Sequence, residues 1–95
     1  MNNEKVIIEF LNHKKASTPL RDIYNGYYST YKGRTLQTDG IELINYKTKI
    51  AYFNKREENI LYLNITKYSQ TTSKIQNTIK RLATDRGLII KEYRG

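Results

Sequence analysis

The first apolar residues of the chain recur at a helical interval. Val6, Ile7, Phe10 and Leu11 form one stripe, which predicts a helix over residues 3–15. Asn2 or Asn3 is placed to cap it, Glu4 suits its positive end, and Lys14 and Lys15 suit its negative end. Ser17-Thr18-Pro19 reads as a fresh helix start. Leu20, Ile23, Tyr24 and Tyr27 then keep helical spacing until Asn25-Gly26 cuts the pattern short, a candidate second helix. Residues 27–40 show no period. Their tyrosines, Lys32, Arg34 and two glycines suggest an exposed loop ending in a Thr38-Asp39-Gly40 turn.

From Ile41 onward the period falls to two. Ile41-Glu42-Leu43-Ile44-Asn45-Tyr46, Lys49-Ile50-Ala51-Tyr52-Phe53 and Ile60-Leu61-Tyr62-Leu63 predict three strands, with polar residues 55–59 as a hairpin loop. Ile75, Ile79, Leu82 and Ala83 return to helical spacing. Ser73 and Gln76 stand three apart, as in a capping box, and Gly87 is a natural stop. Residues 88–93 resume an extended pattern and form a candidate last strand. The expected fold is one α+β domain over residues 1–95. It has an N-terminal helix with the candidate second one, a three-stranded antiparallel meander, and a C-terminal helix packed on one sheet face. Tyr52 and Tyr62 are expected to fill the sheet face beneath the helices.

Composition narrows the function. Hydrophobic residues make up 38% of the chain, so the core must be small, while nine tyrosines supply rings that can finish a core edge or stay half exposed. Seventeen Lys and Arg against nine Asp and Glu leave a net charge of +8, which favours a polyanionic partner. Residues 65–95 hold seven cations (Lys67, Lys74, Lys80, Arg81, Arg86, Lys91, Arg94) and two anions (Asp85, Glu92), a net of +5. Without cysteine there is no disulfide framework and no thiolate site. No apolar run approaches the roughly 18 residues of a membrane span, and the opening residues lack a signal-peptide pattern. An intracellular, cytoplasmic protein without a membrane partner is expected.

The densest candidate chemistry precedes the last helix. Lys67, Tyr68, Ser69, Thr71, Thr72, Ser73 and Lys74 crowd hydroxyls and two lysines at a helix start, where free N–H groups and the positive dipole end favour phosphate. Gln76, Asn77, Lys80 and Arg81 carry the polar face onward with side chains that brace phosphates or read base edges. Capping alone would account for one or two of the hydroxyls. Tyr27, Tyr28, Tyr31 and Tyr68 are candidates for base stacking beside Lys32, Arg34 and Lys67.

The helix-strand-strand-strand-helix order with a lysine at the final helix start resembles a double-stranded RNA-binding domain, though that family's run of lysines and alanines is absent. Thr71-Thr72-Ser73-Lys74 through Arg81, followed by residues 85–89, also resembles a recognition helix and wing, but a strand precedes it where a helix should be. Tyr46-Lys47-Thr48-Lys49-Ile50-Ala51, Tyr62-Leu63-Asn64 and Lys67-Tyr68-Ser69-Gln70-Thr71-Thr72-Ser73-Lys74 resemble a pattern shared by small phage and archaeal-virus proteins. Those relatives often carry His where this chain has Ile75. The resemblance implies a viral or mobile-element origin and brings no activity with it.

His13, beside Lys14 and Lys15, reads as a solvated helix-end residue, and Glu57-Glu58 as a solvated charge cluster. Neither a phosphate-binding glycine loop nor metal-ligand spacing occurs, so no enzyme activity, metal or cofactor is expected. Two partner classes follow: nucleic acid, DNA or RNA, or a host protein such as a defence enzyme that the chain would inhibit in the manner of an anti-CRISPR.

Overall fold

A computed structural model describes residues 1–24 and 30–95, and of Tyr24, Thr30 and Tyr31 only the backbone. Helix α1 spans Asn3–Leu11, with Asn2 as its cap accepting from the Lys5 amide. It ends short of the expected boundary because the chain turns sharply. The Lys14 amide donates back to Glu9 O and the His13 amide to Phe10 O, while His13 takes φ +59°, a C-terminal cap that leaves Lys14 and Lys15 outside the helix. The His13 ring lies 4.5 Å from that of Phe53.

The candidate second helix does not form. The strands β1 (Ala16–Ser17), β2 (Arg21–Tyr24), β3 (Thr30–Gly33) and β4 (Leu36–Thr38) follow instead. Thr18, expected to cap a helix, accepts at its hydroxyl from the Thr35 and Leu36 amides and so ties β1 to β4. Arg34 donates to Thr18 O at 2.6 Å. The loop expected over residues 27–40 therefore holds β3 and β4. Its Tyr27 and Tyr28, like the Asn25-Gly26 break, lie outside the described residues, as does the Tyr31 side chain.

The meander is present as β5 (Glu42–Asn45), β6 (Thr48–Asn54) and β7 (Glu57–Asn64), its second hairpin turning on Lys55 and Arg56 rather than on five loop residues. Helix α2 (Gln70–Asp85) and strand β8 (Ile89–Tyr93) complete the chain. Among the described residues the sheet is larger than the meander, with six strands in the order β1-β4-β5-β6-β7-β8, and β2 with β3 forms a separate two-stranded sheet. All its pairings are antiparallel except β7 with β8, which run parallel because α2 crosses over between them.

Both helices cover the same face of the sheet. Val6, Ile7 and Phe10 of α1 and Ile75, Ile79 and Ala83 of α2 share one buried cluster with Leu36, Leu43, Phe53, Leu61 and Leu63. An irregular register at Leu43 and Ile44 sets two successive residues of β6, Ile50 and Ala51, in that core together. Among the described residues no helix covers the opposite face. Since Ala51 pairs with Leu63 and Phe53 with Leu61, the intervening pair, Tyr52 with Tyr62, points away from the helices. The expectation that these two tyrosines lie beneath the helices is thus corrected. No helix among the described residues is long and apolar enough to cross a membrane.

Candidate nucleic-acid interface

The start of α2 is set by Ser69, four residues before the expected capping box. Ser69 Oγ accepts from the Thr72 amide at 3.1 Å. Ser69 also donates to Thr72 Oγ1, which donates to Asn45 Oδ1 at 2.8 Å, and Asn45 Nδ2 donates to Thr35 O. This chain of bonds pins the first turn of α2 to the sheet. Gln76 does not reach back to Ser73. Its amide donates to Asn64 O at 2.7 Å and Thr66 O at 2.9 Å, satisfying carbonyls where β7 ends. Thr72 and Gln76 are buried, and the Thr72 hydroxyl is committed to Ser69 and Asn45, so the sequence reading of Thr72 as a ligand contact is replaced by a structural role.

The rest of the cluster sits around an open groove of about 430 Å³ lined by Lys67, Tyr68, Ser69, Ser73, Lys74 and Asn77, with Gln70 beside them. Six of the ten predicted contact residues thus converge at one place. Lys67, Tyr68, Lys74 and Asn77 are exposed, and Ser73 is half-buried. The first turn of α2 contains no acid, whereas α1 carries Glu4 there. The positive end of the α2 dipole and two lysines therefore face the groove without an acid within it.

The other predicted residues diverge. Thr71 lies on the α1 side, in a cleft with Glu4, Ile7 and Lys74. Lys80 extends the groove along α2 through a cleft shared with Lys67, Ser73 and Asn77, but it stands 3.7 Å from Glu92. Arg81 leans the other way, 3.7 Å from Glu4 of α1. Exposed pairs of this kind are worth about 0–1 kcal/mol and can be exchanged for a phosphate, yet they remove any standing surplus of charge. Lys32 is likewise paired, with Asp22 at 2.8 Å.

Sequence reasoning missed a second cleft, of about 530 Å³, on the helix-free face of the sheet. Lys47, Lys49, Tyr52, Asn64, Tyr68 and Tyr93 line it. Tyr52 stacks on Tyr62 with ring centroids 4.9 Å apart and planes 7° from parallel, and meets Tyr93 at 5.6 Å and 59°. Lys49 Nζ lies 5.1 Å from the Tyr52 centroid and 3.1 Å from Glu42. Burial, then the neighbouring Tyr52, Tyr68 and Glu42, pushes the Tyr93 phenol up to about 12, so it stays a neutral donor at ordinary pH. Asn64, 2% exposed, donates to Tyr68 Oη and to Lys49 O, and accepts from the Thr66 and Gly95 amides. Tyr68 borders both this cleft and the α2 groove. The signal was present in the alternation: with Phe53, Leu61 and Leu63 committed to one face, Tyr52 and Tyr62 had to share the other.

Among the described residues no three His, Cys, Asp or Glu side chains group closely enough to hold a metal. No protein-family model, curated protein or solved structure matches the chain.

Proposed function

We propose that this protein binds nucleic acid and seats backbone phosphates in the groove at the start of α2. The observation that carries the reading is the convergence of Lys67, Ser69, Ser73, Lys74 and Asn77 on one open groove at an acid-free helix N-terminus. Helix amides, hydroxyls and ammonium groups are donors suited to a diester phosphate. The net charge of +8 draws a polyanion toward the molecule from a distance. Lys80 serves as a second-rank contact, because a phosphate must first compete with Glu92.

Contacts to phosphate carry no sequence information, so the predicted mode is broad recognition with a steep dependence on salt. Electrophoretic shifts with single- and double-stranded DNA and RNA, each at two salt concentrations, test it. At least one probe should shift, less at the higher salt, and a Lys67→Ala/Lys74→Ala protein should shift it more weakly. Absence of any shift by the parent protein, together with a host protein retained from a nuclease-treated lysate, would favour the inhibitor reading instead.

A further inference from the structure

The helix-free face of the sheet carries chemistry that phosphate binding at α2 leaves unused. Three tyrosines, 52, 68 and 93, border a cleft of about 530 Å³, within the roughly 300–1,000 Å³ of sites that hold small ligands. Their rings are held in place before anything binds. Tyr52 is braced by Tyr62 on one side and Tyr93 at its rim, and Tyr68 is fixed through its hydroxyl by Asn64 at 3.1 Å. Lys47 and Lys49 bring positive charge to the rim. Glu42 offsets part of it through Lys49.

We propose that this cleft takes an unpaired base of a single-stranded nucleic acid whose backbone continues past Tyr68 into the α2 groove. The inference rests on the phosphate-binding reading above and adds the class of nucleic acid. Two features select the single strand. An aromatic cleft is useful only to a base free to leave its neighbours, and bases within a duplex must first be unpaired and flipped. The second is continuity. Tyr68 is a wall of both the cleft and the groove, and no Asp or Glu among the described residues lines either, so one strand can place a base on the sheet side and its next phosphates on the helix side.

The test compares an oligothymidine labelled for fluorescence anisotropy with its duplex, and a 5-iodouracil version of the same strand for photocrosslinking. The single strand should bind about tenfold or more tightly than the duplex, and crosslinks should map to Tyr52, Tyr68 or Tyr93. Tyr68 is 46% exposed, so Tyr68→Ala should fold, with a melting temperature lowered only by loss of the hydrogen bond from Asn64. It should weaken the single strand about tenfold, as loss of one stacking ring does, and by a clearly larger factor than it weakens the duplex, which meets Tyr68 only as a wall of the α2 groove. Tyr68→Phe should retain most of the affinity. Equal affinity for both probes, with Lys67→Ala/Lys74→Ala still weakening them, would overturn this inference while leaving the phosphate reading intact. A parent protein that binds neither probe would overturn both. Self-association abolished by Tyr68→Ala, without crosslinks on this face, would assign the face to a second copy and also overturn it.

Discussion

Two glycines with left-handed backbone show how differently the same residue type can be required. At Gly40, φ is +96°, and a Cβ would lie 2.6 Å from His13 O, within the turn that closes α1. At Gly87, the residue closing α2, φ is +75° and nothing lies within 4 Å of a Cβ. Gly87→Ala should cost only the left-handed penalty, about 1 kcal/mol, whereas Gly40→Ala should cost about 2 kcal/mol or more because backbone must also move. Urea denaturation of the two variants reads the difference directly. Thr72 offers a second residue-level test. Thr72→Val keeps the shape and strips a buried donor from Asn45, so it should destabilise the fold by about 1–3 kcal/mol. Nucleic-acid affinity measured on the folded fraction should not change, which separates the hydroxyl that builds the groove from the hydroxyls that line it. Tyr93 gives a pH signature. Its folded pKa of about 12 stands above the unfolded value of 10.0, so the unfolded chain releases the proton first and this residue's contribution to stability falls as pH rises from 10 to 12. In Tyr93→Phe, stability measured against pH should lose that part of its alkaline decline.

Among the elements, those with a long and regular apolar period were legible in the sequence. The stripes of α1 and α2 and the alternation of β5, β6 and β7 each survive as the buried side of their element, and Gly87 ends α2 as its position implied. Elements held by distant partners were not. Strands β1 to β4 have two to four residues each, too few to display a period, and Thr18 is recruited to the sheet through Thr35 and Leu36 rather than to a local helix. The start of α2 was misplaced for a related reason. Ser73 and Gln76 have capping-box spacing, but the carbonyls of Asn64 and Thr66 claim Gln76, and Ser69 caps four residues earlier. The candidate site was legible as a cluster of residue types. Which members face outward was not, because Thr72, Lys80 and Arg81 are claimed by Asn45, Glu92 and Glu4, partners far away in sequence. The sheet-face cleft was legible only through the strand alternation, which leaves Tyr52 and Tyr62 the side that Phe53, Leu61 and Leu63 do not take.

At the scale of the molecule, charge and shape act together. The +8 net charge alone would attract many anions, and its value here lies in where acids are missing. Lys80 and Arg81 have acidic neighbours, while the groove holding Lys67 and Lys74 is lined by none. If the strand runs from the sheet cleft to this groove, up to four lysines (47, 49, 67 and 74) meet phosphates, Lys49 by exchanging Glu42 for one. Each such contact releases counterions, so the logarithm of affinity should fall against the logarithm of salt with a slope of about −3 for a single strand. The decisive measurement is that slope, taken by fluorescence anisotropy with a single-stranded oligonucleotide for the parent protein and for Lys67→Ala/Lys74→Ala. A slope of about −3 is expected for the parent, becoming shallower by about 1.4 in the variant, the share of two phosphate contacts. A parent slope near zero, or one that the double substitution leaves unchanged, would contradict phosphate binding in the α2 groove.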